Sequence, residues 1–127
     1  MVTPQLAALA AAAKGAGRIE CADSSHACVG TGRAEHPMCG DEVEVDLAVD
    51  AGRIVDLRWR AHGCPATYAV AAVAHAALVG WSVEGATQRL REALAQRGDL
   101  AKTERHAEAM FGRALAAALA VRREPGA

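Results

Sequence analysis

The chain has 127 residues, which suits one domain with a core of ordinary size. Apolar residues make up 52%, yet alanine dominates them and aromatic residues reach only 3%, so helix-rich packing of small side chains is expected. With 14 basic and 15 acidic side chains the formal net charge is −1 and no basic stripe carries interleaved aromatics, which argues against nucleic acid; no apolar run approaches the roughly 20 residues that span a bilayer, which argues against a membrane.

The opening "MVTPQLAALAAAAKGAG" predicts an N-terminal helix over residues 1–14. Lys14 follows the apolar run and nothing basic precedes it, the reverse of an export signal. Four cysteines, at 21, 28, 39 and 64, are then expected to be reduced thiols in a cytoplasmic protein. Residues 15–40, rich in glycine, serine and small polar groups, are expected to form a long irregular segment. Within it "HPMCGD" (36–41) reads as a loop that sets a thiol, a carboxylate and an imidazole within six positions.

The pattern then changes. Val43, Val45, Leu47 and Val49 alternate with Glu42, Glu44, Asp46 and Ala48, the signature of a half-buried strand. "DAG" (50–52) supplies a turn, and Val55, Leu57, Trp59 and Ala61 alternate with Asp56, Arg58 and Arg60 on the return. The outer faces, acidic on one strand and basic on the other, pair favourably across a hairpin over 41–61. Pro65 suits the first position of a helix that stops at Gly80. A second helix is expected from an N-cap at Ser82 to Arg97, and a last one from Thr103 to Arg122 with Met110, Phe111, Ala114, Leu115, Ala118, Leu119 and Val121 on its apolar face. The expectation is one α+β domain over 1–127: a small antiparallel sheet built on the hairpin, with the helical part (64–122) covering one face.

Cys39 lies just before the first hairpin strand and Cys64 just after the second, so the hairpin brings them together across 25 positions of sequence. Asp41, two residues past Cys39, faces the same side if the chain is extended there. Cys64 precedes Pro65 at a helix amino end, where unpaired N–H groups favour the thiolate that binds metal. Gly40 and Gly63 would admit a bulky ligand close to the backbone. A free cysteine is otherwise a small buried hydrophobe, and that reading is kept for Cys21 and Cys28, whose spacing matches no metal template.

At these residues the chain resembles the U-type iron–sulfur cluster assembly scaffolds, the NifU-N/IscU-like family. The resemblance runs through "VGTG" (29–32), "CGD" (39–41), the hairpin, "GC" (63–64) opening a helix, "LVGWSVEGA" (78–86) and "RHAEAMFGRALAAAL" (105–119). It implies a metal and cluster site made of Cys39, Asp41, Cys64 and His106. The family's third cysteine follows the histidine, and here that pair reads His106–Ala107. The Pro-Pro-x-Lys patch with which the IscU branch engages its chaperone is replaced by "AKTER" (101–105).

The four remaining ligands form a mixed set of two sulfurs, one nitrogen and one oxygen, suited to tetrahedral zinc. The set also suits a [2Fe–2S] cluster, since histidine replaces thiolate on one iron in some clusters; Cys39, Cys64 and His106 would then hold the cluster. The resemblance further implies a non-catalytic scaffold, monomeric or weakly self-associating, that takes sulfur from a cysteine desulfurase and passes clusters to recipient apo-proteins. The competing readings are a zinc-binding module for regulation or sulfur trafficking, with zinc present as purified, and a zinc hydrolase, which four protein ligands disfavour by leaving no site for water. Among the other histidines, His75 is expected as a packed or partly exposed ring and His62 as at most a neighbour of the site, while His26 and His36, in the loop, are open between ligand and solvent, with solvent favoured. Arg58 and Arg60 are expected as a solvated face that could dock an acidic partner.

Overall fold

The structure, a computed structural model, describes residues 2–19, 28–38 and 40–121, with position 28 described in its backbone only. In chain order its elements are α1 (Pro4–Ala12), β1 (Cys28–His36), β2 (Asp41–Asp50), β3 (Arg53–His62), α2 (Pro65–Leu78), α3 (Ala86–Gln96) and α4 (Arg105–Val121), the last entered through a 3₁₀ turn at Lys102–Glu104. The strands form one antiparallel sheet in the order β1-β2-β3. α2 packs on β3 and α4 on β1 and β2, while α1 and α3 pack on α2. This is the α+β architecture expected from the hairpin and the helical second half.

The hairpin forms because alternation and turn chemistry agree. Val43, Val45 and Leu47 are buried in one row, opposite Ala61, Trp59 and Leu57. Ala51 and Gly52 both adopt positive φ, 52° and 77°, the geometry of a tight two-residue turn. A bulge between Ala48 and Val49 then shifts the phase of the return strand. In consequence Ile54 is fully buried and Val55 faces outward, 47% exposed, against the expectation that Val55 points into the core.

The expected irregular stretch over 15–40 is corrected by β1, a full third strand paired with β2 from Cys28↔Val49 to His36↔Asp41. Its inward row is Gly30, Gly32 and Ala34, followed by His36, while Thr31, Arg33 and Glu35 are exposed. The row lacks apolar bulk because α4 lies directly on the strand. A Cβ at Gly32 would stand 2.0 Å from the Ala114 carbonyl oxygen and 2.3 Å from the Ala118 amide nitrogen. Glycine inside a strand marks such a close backbone approach.

α3 begins at Ala86 rather than after Ser82. Residues 80–82 are used elsewhere: the Ile54 amide donates to the Trp81 carbonyl (2.8 Å) and the Gly80 amide to the Ile54 carbonyl (2.6 Å), so this backbone seals the edge of β3. The other part of that edge is covered by residues 15–17, through the Trp59 amide to the Gly15 carbonyl (3.0 Å) and the Gly17 amide to the Trp59 carbonyl (2.9 Å). Arg60, expected in solvent, is instead a clamp. It donates to Asp46 (2.8 Å), Glu44 (3.2 Å) and the Gly17 carbonyl (2.7 Å), while Asp46 accepts from Thr31 (2.8 Å) and the Ile19 amide (3.0 Å). Arg58 pairs along its own strand with Asp56 at 3.1 Å.

Candidate metal centre

The inward row of β2 ends on a carboxylate. Asp41 continues the line of Leu47, Val45 and Val43 and is 4% exposed, so a charged group occupies the last place of an apolar row. The residue opposite it on the β3 side is Gly63, just past the strand, and Cys64 follows as N-cap of α2. Gly63 has φ of +154°, and a Cβ there would lie 2.6 Å from the Asp41 carboxyl carbon. The space that glycine leaves is therefore filled by Asp41, not by an incoming ligand. Gly40, at φ +73° with open space around it, is needed only for the turn that carries the Gly40 amide to the His36 carbonyl at 2.9 Å. Gly40 itself is therefore not extended, and the expected facing of Cys39 and Asp41 falls outside the described residues.

From across the sheet end, the first turn of α4 contributes His106. Its Nδ1 lies 3.1 Å from the Thr103 carbonyl oxygen, an acceptor that suits the N–H tautomer at Nδ1 whenever Nε2 is used to bind a metal. Nε2 stands 3.4 Å from Asp41 Oδ2 and 4.0 Å from Cys64 Sγ. Ligand atoms of Asp41, Cys64 and His106 all lie within 4.8 Å of one another. Burial alone would raise the pKa of Asp41, but hydrogen bonds from the Cys64 side chain, His106, the Thr67 hydroxyl and the Cys64 backbone outweigh it and hold the carboxyl below its ordinary value. The group is therefore a carboxylate at neutral pH.

Asp41 Oδ2 and His106 Nε2, 3.4 Å apart, share a proton in the hydrogen bond between them, and a cation can take that proton's place. The chemistry of the donor set fits a metal. In tetrahedral zinc with bonds of about 2.0–2.1 Å to N and O and about 2.3 Å to S, an N–O edge is about 3.3 Å and an S–N edge about 3.6 Å. The observed edges are close to both.

Of the four ligands expected from sequence, three converge and the fourth, Cys39, lies outside the described residues, as do Cys21 and His26. Cys28 begins β1 while the centre lies at its other end, so eight residues of strand, about 26 Å, separate that backbone position from the site. His62 is exposed at the sheet end, and His75 is half-buried with Nδ1 2.7 Å from the Leu57 carbonyl. Of two further neighbours, Thr67 escaped the sequence reading and His36 was left open between ligand and solvent. Thr67, fully buried, donates to Asp41 Oδ2 at 3.1 Å and lies 3.6 Å from Cys64 Sγ; a lone Ser/Thr in an alanine-rich helix, three residues after its cap, was the available signal. His36 has its ring centroid 4.7 Å from that of His106.

Comparison with known proteins gives the chain's family. The NifU-like N terminal domain family matches residues 10–124. The chain belongs to that family. Among its relatives, iron–sulfur cluster assembly scaffold protein IscU 1 of Archaeoglobus fulgidus is 32% identical over 104 residues, 81% of this chain and 64% of that protein. The iron–sulfur cluster assembly enzyme IscU of Drosophila melanogaster is 30% identical over 99 residues, 77% of this chain and again 64% of that protein. This NifU-like chain thus spans about 64% of the length of either relative. The N-terminal domain of a nitrogen-fixing NifU-like protein from Brucella abortus shares the fold, with a TM-score of 0.63 at 15% identity, covering 91% of this chain and 90% of that one. No helix among the described residues is long and apolar enough to cross a membrane.

Proposed function

We propose that this NifU-like domain is a non-catalytic scaffold on which an iron–sulfur cluster is assembled and from which it is handed on. The observation that carries the reading is the meeting of Asp41, Cys64 and His106, from three separate elements, within 4.8 Å at one end of the sheet. Cys39, which lies between β1 and β2 in sequence, is the fourth ligand of the proposal. Two thiolates retain iron, while a carboxylate oxygen and an imidazole nitrogen are harder and more readily exchanged, so the cargo is held but can leave. The chain's own part is to hold the donors in place: Thr67 keeps Asp41 turned toward Cys64, and the Thr103 carbonyl keeps the His106 lone pair inward. Sulfur would come from a cysteine desulfurase and the cluster would pass to recipient apo-proteins, in the cytoplasm, with the domain monomeric or weakly self-associating. Relatives named as cluster-assembly scaffolds support this reading.

Reconstitution with ferrous iron and sulfide tests it. The wild type should take up both and develop visible absorbance near the charge-transfer region of a [2Fe–2S] cluster, and Cys64→Ser should abolish this. A wild type that stays colourless while binding zinc would overturn the scaffold reading. The mixed donor set favours one second reading, a zinc-binding module without cluster assembly. Metal analysis of the protein as purified distinguishes the two.

A further inference from the structure

His36 closes the inward row of β1 as Asp41 closes that of β2, and the two are directly opposite in register. Opposed residues on an antiparallel pair point to the same face, so the imidazole and the carboxylate share the end of the sheet that faces α4. The His36 ring lies 4.7 Å from the His106 ring, tilted by 55°. Its Nδ1 is shielded from solvent and has no hydrogen-bond partner among the described residues. A shielded polar nitrogen without a partner is costly and calls for an occupant, such as an ion. No hydrogen bond at Nδ1 has to break for the ring to turn toward His106.

We propose that His36 is a further nitrogen ligand of the Asp41/Cys64/His106 centre, its Nδ1 completing a two-nitrogen, one-oxygen, one-sulfur set. The inference rests on the metal-centre reading above. With Cys39 of the proposal above, three positions later in sequence, the centre has one donor more than a tetrahedral ion uses. A single ion then has alternative ligands, and a donor released by one can be replaced by another without unfolding the site. Position 107, whose alanine is 99% buried and carries no donor, leaves that part of the centre to nitrogen rather than sulfur. Neutral imidazole is a suitable ligand for ions of borderline softness such as zinc and iron.

Cobalt(II) titration of the whole chain is the test, because cobalt reports its ligands spectroscopically. In the cobalt-loaded wild type, paramagnetically shifted proton spectra should show two exchangeable ring N–H signals, one per ligating histidine. His36→Ala should remove one signal, weaken cobalt and zinc binding by about tenfold or more in chelator competition, and leave the sulfur-to-cobalt charge-transfer band in place. His62→Ala, at an exposed histidine of the same sheet end, should change none of these. His36→Gln repeats the measurement with a side chain of similar length if the alanine variant is poorly folded. One shifted N–H signal in the wild type, or unchanged affinity and spectrum in His36→Ala or His36→Gln, overturns the proposal. Cys64→Ser separates this failure from that of the underlying reading. Loss of the charge-transfer band in that variant with no effect at His36 removes only the His36 ligand, whereas cobalt binding unaffected by Cys64→Ser removes the centre itself.

Discussion

Gly63 has no side chain because Asp41 occupies the space one would need. Gly63→Ala meets two obstacles, a φ of +154° that L residues avoid and a contact of 2.6 Å with the carboxyl carbon. We expect a loss of about 2–3 kcal/mol in denaturant unfolding, with zinc binding weakened by about tenfold or more as Asp41 is pushed off the ligand position. Gly40→Ala isolates the backbone part of that cost. Its φ is +73° but nothing surrounds it, so the loss should be only about 1 kcal/mol. Equal losses in the two variants would mean that the Asp41 contact contributes nothing.

The decisive pair of elements is α4 and β1. Gly30, Gly32 and Ala34 let the helix lie on the strand, and the approach of the two backbones sets where the first turn of α4, and hence His106, meets the end of the sheet. Gly32→Ala should therefore destabilise by about 3 kcal/mol or more and also weaken metal binding at the distant His106 end of α4, because the helix must lift. Normal metal affinity in a folded Gly32→Ala protein would show that His106 is placed by its own turn alone. Ala107→Cys tests the other end of the same helix. The added sulfur neighbours His106 in the first turns of α4 and should increase cluster retention on reconstitution, read as visible absorbance after gel filtration. If the wild type retains its cluster equally well, nitrogen at this centre is a working replacement for the thiol.

Across the whole molecule, the outer sheet face is tied to the N-terminal segment by the buried Asp46. Burial alone would raise its pKa, but the Arg60 guanidinium, the Ile19 amide and the Thr31 hydroxyl outweigh it and hold it below the ordinary value of 3.8. A carboxyl depressed in the folded state contributes stability that is fully present above that ordinary value and is lost as pH falls through the lower, folded one. Asp46→Asn should thus cost about 2–3 kcal/mol at neutral pH, where Arg60 loses its partner. The gap between variant and wild type should shrink on acidification from about pH 5 to about pH 2, followed by thermal melting. A gap independent of pH would assign the effect of Asp46 to its shape rather than its charge.

The hairpin, the start of α2 and with them the places of Asp41 and Cys64 were legible in the sequence, because alternation, a two-residue turn and a proline after a cap are local rules that burial then reinforces; His106 was singled out only by the family resemblance. β1 was not, since its inward row is small for a reason that lies elsewhere in the chain, the α4 backbone pressed against it. The same holds for the start of α3, where residues 80–82 pair with β3 instead of coiling, and for Val55, turned outward by a bulge whose only trace is the shifted phase. His36 shows the limit most clearly. Its neighbours in sequence place it in a turn beside solvent, and only the register of β1 on β2, with α4 laid across both, sets its ring 4.7 Å from that of His106. Local propensity and periodicity determined which segments are helix or hairpin and which residue types can bind metal; the long-range packing of α4 on the sheet decided which of them meet.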